Sequence, residues 1–340
     1  VLESVIIEDF FDSDNKWYDL PAGWYVVKGD VTITPRLDTH GAVNLILTDD
    51  CHLTVPWGIN VKEGDTFTIY AQSTAEASMG KLTACLPELS DHEKSVWPVA
   101  GLSGIGAGVR VWAANDNYYE NEGTIIINGG NIHARGQQGS SAIGGSYQDR
   151  NVSSDGDTPG NLRQGGSITI NGGTVKASSD GNGFGIGGAG VHHTAEMHIT
   201  INGGNIETTA NRNNAAIGDK SKQKSSVTIT DGVVHAVGKG SAAGIGSTGD
   251  IRITGGEISA FAEGGGAAIG SIGGVDCKSI TINGNAIKSI SSKDGACIGA
   301  ATGGSVGSIT ISDAELPLLS SNKIPVSYTH LRAHETSLHL

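Results

Sequence analysis

GSITINGGTVKASSDGNGFGIGG, from Gly166 to Gly188, is the unit that decides the fold of this 340-residue chain. Its SITI segment alternates polar and apolar residues with a period of two, as a half-buried strand does. Gly172 and Gly173 supply the positive φ of a turn, and TVKA from Thr174 alternates again. A second glycine-rich turn leads to a short third segment that ends in Ile-Gly. One unit therefore predicts three strands and three turns.

The same unit recurs along the chain with a fixed internal length. The Ile of its Ile-Gly pair lies twenty residues after the first residue in every full copy: Ile143, Ile186, Ile217, Ile245, Ile269 and Ile298. A shortened copy begins at Gly307, and length varies only between one Ile-Gly pair and the next unit. The pattern predicts an all-β fold, a single-stranded, right-handed parallel β-helix (β-solenoid) of roughly nine to eleven coils with insertions at one corner.

Equivalent positions in successive units predict columns of stacked side chains. Inward residues are expected to stack as Ile168 on Ile199, Ile170 on Ile201 and Val175 on Ile206. Small residues precede the paired Ile, which predicts a tight corner: Ala142, Gly185, Ala216, Gly244, Ala268 and Cys297. A column of asparagines before the turns predicts stacked turn amides: Asn128, Asn171, Asn202 and Asn283. An outward threonine column suits an exposed strand face: Thr169, Thr200, Thr228, Thr281 and Thr310.

The chain divides into four parts by the regularity of this pattern. Residues 1–22 are expected to form an N-terminal cap or the end of a preceding segment, as helix or strand. Irregular coils are predicted for residues 23–122 and regular coils for 123–320. Residues 321–340, which include the glycine-free VSYTHLRAHETSLHL, are interpreted as an artefactual or disordered tail. We expect a monomeric repeat region within a larger chain.

Composition excludes several classes of function. Glycine accounts for 52 residues, whereas charged residues make up only 17% of the chain. The net charge of −13 argues against nucleic-acid binding, which needs clustered Lys and Arg. No apolar run approaches the length of a membrane-spanning helix, so no membrane span is predicted.

The ITINGG and AIGG motifs, with WYVVKGDVTI from Trp24, resemble the glycine-rich β-helical repeat regions of exported surface proteins of Gram-positive gut bacteria. The resemblance covers roughly residues 24–316. It implies an extracellular or cell-wall-associated protein with a role in carbohydrate binding or adhesion. It brings no catalytic residues. It also implies free thiols, because such proteins generally avoid disulfides.

The long insertions around the first regular coil carry the candidate ligand-binding residues. Their aromatic residues are Trp97, Trp112, Tyr118, Tyr119 and Tyr147. Their carboxylates are Asp116, Glu120, Glu122, Asp149, Asp155 and Asp157. Apolar sugar faces stack on aromatic rings, while carboxylates accept hydrogen bonds from hydroxyls. The alternative is that these rings pack their own loops onto the solenoid wall. The coils after Met197, with short corners and few aromatics, are expected to bind small molecules poorly.

These features favour a non-enzymatic bacterial surface domain that binds glycans or host surfaces. Two alternatives stay open: a polysaccharide-active β-helix enzyme (lyase or glycoside hydrolase) and a passive structural stalk. Against an enzyme, Asp49–Asp50 is ordinary turn chemistry, and no catalytic residues or metal site are predicted. We predict no cofactor; Asp12–Asn15 and Asp155–Asp157 offer oxygens for Ca²⁺ but do not match the twelve-residue calcium loop.

Overall fold

Three ladders of parallel strands, stacked coil upon coil, build the protein in a computed structural model. The structure describes residues 1–6, 17–85, 102–107, 109–111, 117–119, 122–137, 139–146, 166–188, 196–220, 225–312 and 320–321. These residues form an all-β parallel β-helix, so the predicted fold class is confirmed. The second ladder has 10 strands, one for each coil, within the predicted number. We expect the right-handed sense that crossovers between parallel strands favour.

Each coil contributes one strand to each ladder. The first ladder consists of β1 (Trp17–Val27), β3 (Arg36–Leu47), β6 (Thr66–Ala71), β11 (Thr124–Ile127), β14 (Ser167–Ile170), β17 (His198–Ile201), β20 (Ser226–Ile229), β23 (Asp250–Ile253), β26 (Cys277–Asn283) and β29 (Val306–Ser312). The second consists of β2 (Asp30–Thr32), β4 (His52–Thr54), β7 (Lys81–Cys85), β12 (Asn131–Gly136), β15 (Thr174–Ser179), β18 (Asn205–Ala210), β21 (Val233–Gly238), β24 (Glu257–Ala262), β27 (Ile287–Ser292) and β30 (Ser320–Ser321).

The third ladder contains the Ile-Gly pairs. It consists of β5 (Ile59–Asn60), β8 (Ile105–Gly106), β13 (Ile143–Gly144), β16 (Ile186–Gly187), β19 (Ala215–Asp219), β22 (Ala243–Ser247), β25 (Ile269–Gly270) and β28 (Ile298–Gly299). The amino-terminal halves of β1 and β3 extend this ladder, because Leu37 pairs with Ile59 and Tyr18 with Leu37. Gly284–Ala286 forms a 3₁₀ turn, and β9 (Val109–Val111) pairs antiparallel with β10 (Asn117–Tyr119).

The apolar core is a stack of aliphatic side chains along the axis. Ile168 lies directly opposite Ile199, and Val175 opposite Ile206, as predicted from the repeats. All four side chains are buried. Burial of each such side chain contributes about 2 kcal/mol to the free energy of unfolding, mostly through contact with the coils on either side. The small residues before the paired Ile are buried as well, in agreement with a tight corner.

The glycine that follows the paired Ile sets how closely coils approach. Gly144 has a φ of 120°, and a β-carbon there would overlap the carbonyl oxygen of Gly187 in the next coil. Gly106 and Gly187 stand in the same relation to their own neighbours. The same column begins with side chains, however, because Gly106 pairs with Asn60, which pairs with Asp38. The first coils therefore carry polar groups where the later ones have none.

Insertions leave the solenoid at more than one corner. In the regular coils from Gly123, the variable stretches all join the third ladder to the next strand of the first, as predicted. In the coils before them, the prediction that insertions lie at one corner only is wrong. Residues 72–80 join β6 to β7 at the first corner, and residues 86–104 join β7 to β8 at the second. In the sequence, Trp97 lies between β7 and β8, whereas Trp112 lies between β8 and β11.

The amino-terminal residues lie along the edge of the first coil. Leu2 donates its backbone N–H to Val26 at 2.9 Å, and Val5 forms a parallel bridge with Ile33. Residues 1–6 are thus extended, and β1 already begins at Trp17, inside the segment expected to be a cap. Among the described residues, no helix is long and apolar enough to span a bilayer.

We expect Gly144→Ala to lower the free energy of unfolding by at least about 2 kcal/mol, because the new β-carbon overlaps the next coil and the φ is positive. Gly29→Ala is the control, since Gly29 has a φ of 63° but no atom within 4 Å of its β-carbon position. That change should cost about 1 kcal/mol. Urea unfolding midpoints measure both, and equal losses would show that close approach does not matter.

Candidate functional site

The outer face of the first ladder carries different types of side chain in different parts of the solenoid. In the regular coils it presents the predicted threonine column, with Thr169, Thr200 and Thr228 in register. In coils 1 and 2 the equivalent positions carry Trp24 and Asn44. In coils 1 to 3 the neighbouring outward position carries Val26, Ile46 and Tyr70. We call this region the aromatic surface and define it as Trp24, Val26, Asn44, Ile46 and Tyr70.

Trp24 and Tyr70 give the aromatic surface its shape. The ring centroids lie 5.4 Å apart with planes 30° apart, so the rings stack across two coils. Trp24 nevertheless remains 64% exposed, the most exposed aromatic side chain among the described residues. An exposed indole on a rigid parallel sheet loses little conformational entropy when a ligand covers it. Asn44, which pairs with Trp24 on the next coil, provides a half-buried amide beside the ring.

The column of Tyr70 continues into the predicted ladder of asparagines. Asn202 Nδ2 donates to Asn171 Oδ1 at 2.9 Å, and Asn171 Nδ2 donates to Asn128 Oδ1 at 2.8 Å. Thr230 Oγ1 donates to Asn202 Oδ1 at the other end, at 2.8 Å. Stacked turn amides are therefore confirmed for three positions. Asn283 instead accepts from the backbone N–H of Asn285 within its own turn.

A second group, the Asp38 cluster, lies where coils 1 to 3 turn from the third ladder to the first. We define it as Asp19, Asp38, His40, Asn60 and Lys62. Asp19 pairs with Asp38, and Asp38 with Asn60, so these residues belong to successive coils of one column. The sequence gives no sign of this grouping, because the units before Gly123 lack the fixed spacing that aligns the later ones.

The buried carboxylate of Asp38 lies against Asn60, Lys62 and His40. Its Oδ1 accepts from Asn60 Nδ2 at 2.7 Å and from Lys62 Nζ at 3.1 Å, and its Oδ2 lies 3.4 Å from His40 Nε2. The side chain is fully buried, so its charge depends on these partners rather than on water. A carboxylate enclosed in this way cannot reach a substrate.

His40 has complementary partners at both ring nitrogens. Lys62 Nζ lies 3.5 Å from Nδ1, so it donates there and places the ring proton on Nε2. Nε2 then donates to Asp19 Oδ1 at 3.0 Å. Asp19, Asp38 and His40 are close enough to share a cation, but the ammonium group of Lys62 already lies against Asp38 and His40. We interpret the cluster as a structural charge network.

Three of the four cysteine thiols are weak nucleophiles at neutral pH. All four thiols are free, as the resemblance implied. Burial raises the pKa of Cys277 to about 12 and that of Cys85 to about 11. Burial also raises the pKa of Cys51. These three side chains are therefore thiols, not thiolates, at neutral pH.

The coils after Met197 hold a groove that their sequence did not predict. It is open, encloses about 620 Å³ and lies over the second ladder. The ring of Phe261 lies 5.2 Å from that of His235, with Glu263 and Lys293 at the rim. Phe261 pairs with Ser291 on the next coil, and this step in side-chain size creates the depression. These coils thus contain a depression and an aromatic ring, and the prediction that they bind small molecules poorly stays a prediction.

Most of the sequence-predicted ligand residues lie outside the described residues. This holds for Trp97, Trp112, Asp116, Glu120, Tyr147, Asp149, Asp155 and Asp157. It also holds for the segments Asp12–Asn15 and 322–340. Tyr118 and Tyr119 belong to β10, opposite Arg110 and Val109. Glu122 is buried. A binding site on these insertions therefore stays a prediction.

We expect Lys62→Met to lower the free energy of unfolding by about 2 kcal/mol, because it leaves the buried Asp38 carboxylate without its cation. Lys278→Met removes an exposed ion pair with Asp250 and should cost under about 0.5 kcal/mol, since water screens that pair. Urea unfolding compares the two variants. A loss at Lys62 no larger than that at Lys278 contradicts the structural role of the cluster.

Comparison of the chain with protein-family models, with curated proteins and with solved structures found no match. Function must therefore be inferred from the residues that the fold brings together. Among the described residues, the aromatic surface is the region whose composition departs most from the rest of the solenoid.

Proposed function

We propose that this protein is a non-enzymatic repeat domain of the bacterial cell surface and that it binds glycans on the aromatic surface. The observation that carries the proposal is the exposed Trp24 ring stacked on Tyr70. A ligand that covers the exposed indole removes apolar surface from water, and sugar rings are suitable ligands because their C–H faces are apolar.

The surroundings of the two rings support a sugar rather than a wholly apolar ligand. Asn44 lies beside Trp24 and can donate and accept hydrogen bonds with hydroxyls. Val26 and Ile46 continue the surface with only half-buried aliphatic side chains. An apolar platform edged by one amide is the usual composition of a site that combines stacking with orientation.

Charge narrows the class of glycan. The net charge of −13 repels acidic polysaccharides at low ionic strength, so we propose a neutral glycan. The resemblance to exported repeat regions supports an extracellular or wall-associated location. It also supports a monomeric repeat region within a longer chain.

The alternatives gain less support from the described residues. A polysaccharide lyase or hydrolase needs accessible acid and base groups, whereas Asp38 is enclosed and both nitrogens of His40 are engaged. A passive stalk gives no reason for the exposure of Trp24. Release of sugars from polysaccharide pools would favour the enzyme, and a blank glycan array would favour the stalk.

We expect Trp24→Ala or Tyr70→Ala to weaken binding of a neutral polysaccharide about tenfold or more, because each removes a stacking ring. Val233→Ala is the control: Val233 is an exposed apolar side chain, 48% accessible, on the second ladder. Affinity electrophoresis against array-positive polysaccharides measures the change. Unaltered binding in both ring variants, with loss in a Trp112→Ala/Tyr119→Ala variant, would transfer the site to the insertions.

A further inference from the structure

A small groove lies beside the aromatic surface, at the first corner of coils 3 to 6. It encloses about 230 Å³. Residues 72–79 form one wall, and the stacked turns of the next coils form the floor. The floor includes Asn128, Gly129, Gly173, Thr174 and Asn205, and the wall includes Ser73, Thr74, Glu76 and Met79.

The wall exists because coil 3 has an insertion where later coils have a tight turn. The insertion is fixed to the preceding coil: Ser73 Oγ donates to Asp49 Oδ1 at 2.7 Å, and Asp50 N–H donates to Ser78 O at 2.7 Å. Met79 anchors it with a buried side chain. Asp50 has a φ of 58°, the one positive φ outside glycine among the described residues. The groove is therefore preformed.

The ladder of asparagines ends in this groove. Every bond in the ladder runs in the same direction, so each amide accepts from the following coil and donates to the preceding one. Asn128 is the last member, and its exposed Nδ2 donates to no acceptor among the described residues. Hydrogen bonds in a chain polarise one another, which makes this terminal N–H₂ a stronger donor than an isolated amide.

Glu76 supplies the complementary acceptor. Its exposed carboxylate lines the same groove as Asn128. A sugar hydroxyl can accept from Asn128 Nδ2, and a neighbouring hydroxyl can donate to Glu76. The hydroxyls of Thr74 and Thr174 add further partners. A volume of 230 Å³ equals that of about eight water molecules, which suits one hexose ring rather than a larger ligand.

The groove and the aromatic surface adjoin. Asn128 N–H donates to Ile69 O at 2.8 Å, which in a parallel ladder places Asn128 beside Tyr70 on the next coil. Neighbouring strands are about 4.8 Å apart. A glycan that stacks on Tyr70 therefore reaches the groove by extending along the solenoid axis.

We infer that this groove is a second sugar-binding subsite, which takes one neutral hexose unit through Asn128 Nδ2 and the Glu76 carboxylate, and that the two sites together orient a linear glycan along the solenoid axis. The inference deepens the proposed function and rests on the ligand being a glycan. Single-ring occupancy predicts a dissociation constant of about 1 mM for a monosaccharide.

The test is a titration of the isotope-labelled protein with the methyl pyranosides of glucose, galactose, mannose and N-acetylglucosamine, followed by NMR. We expect at least one to shift the Asn128 side-chain and Thr174 backbone amide signals. Asn128→Ala should weaken that binding about threefold to tenfold through loss of one hydrogen bond. Thr174→Phe, which fills the groove and removes no hydrogen bond seen there, should abolish it.

Two matched variants show whether a loss of monosaccharide binding comes from the groove itself, from lower stability or from the aromatic surface. Lys278→Met, which removes an exposed ion pair and does not touch the groove, should leave monosaccharide affinity within about twofold. Trp24→Ala should leave it unchanged. If no pyranoside shifts the groove signals, or if Thr174→Phe binds as well as the wild type, the subsite is overturned. Continued polysaccharide binding that depends on Trp24 would then leave the proposed function intact, whereas loss of all glycan binding would overturn both.

Discussion

Close approach of successive coils at the Ile-Gly corner is the constraint on which the structure depends. A β-carbon on Gly144 or Gly187 would overlap a carbonyl oxygen of the next coil, so glycine is required by space as well as by φ. That approach keeps the coils in parallel register and lets Ile168 and Ile199 stack directly. The stability of each coil comes mainly from the coils beside it, because no single coil can bury its own apolar face.

Where the glycine column gives way to side chains, the chemistry of the surface changes. Asp38 and Asn60 occupy the column in the first coils. Lys62 balances the charge of the Asp38 carboxylate, which would otherwise be buried without a cation. The same coils carry Trp24 and Tyr70 on their outer face. The regular coils thus repeat the same small side chains on their outer face, whereas the irregular coils carry the stacked aromatic rings and the buried charge network. Polar atoms of the asparagine ladder connect the two regions, because the ladder ends beside Tyr70.

The regular part of the fold could be predicted because its spacing is constant. Ile170 and Ile186 lie sixteen positions apart, and the equivalent pair lies sixteen apart in the other full units, so alignment of the repeats gives the register of the strands. Before Gly123 the equivalent separations change from coil to coil. Leu45 and Ile59 lie fourteen positions apart, whereas Ile69 and Ile105 lie thirty-six apart. With no constant period, the sequence could not align Trp24 with Tyr70 or Asp19 with Lys62.

The sequence by itself determined the parallel β-helix, the inward columns and the stacked amides of Asn128, Asn171 and Asn202, since period-two alternation and a fixed repeat length leave one way to bury the isoleucines. Only the tertiary structure decided that Trp24 stacks on Tyr70, that three coils enclose Asp38, and that residues 72–79 cover the end of the ladder. These contacts join residues far apart in the chain, and their positions follow from how many residues each irregular coil uses to complete its turn.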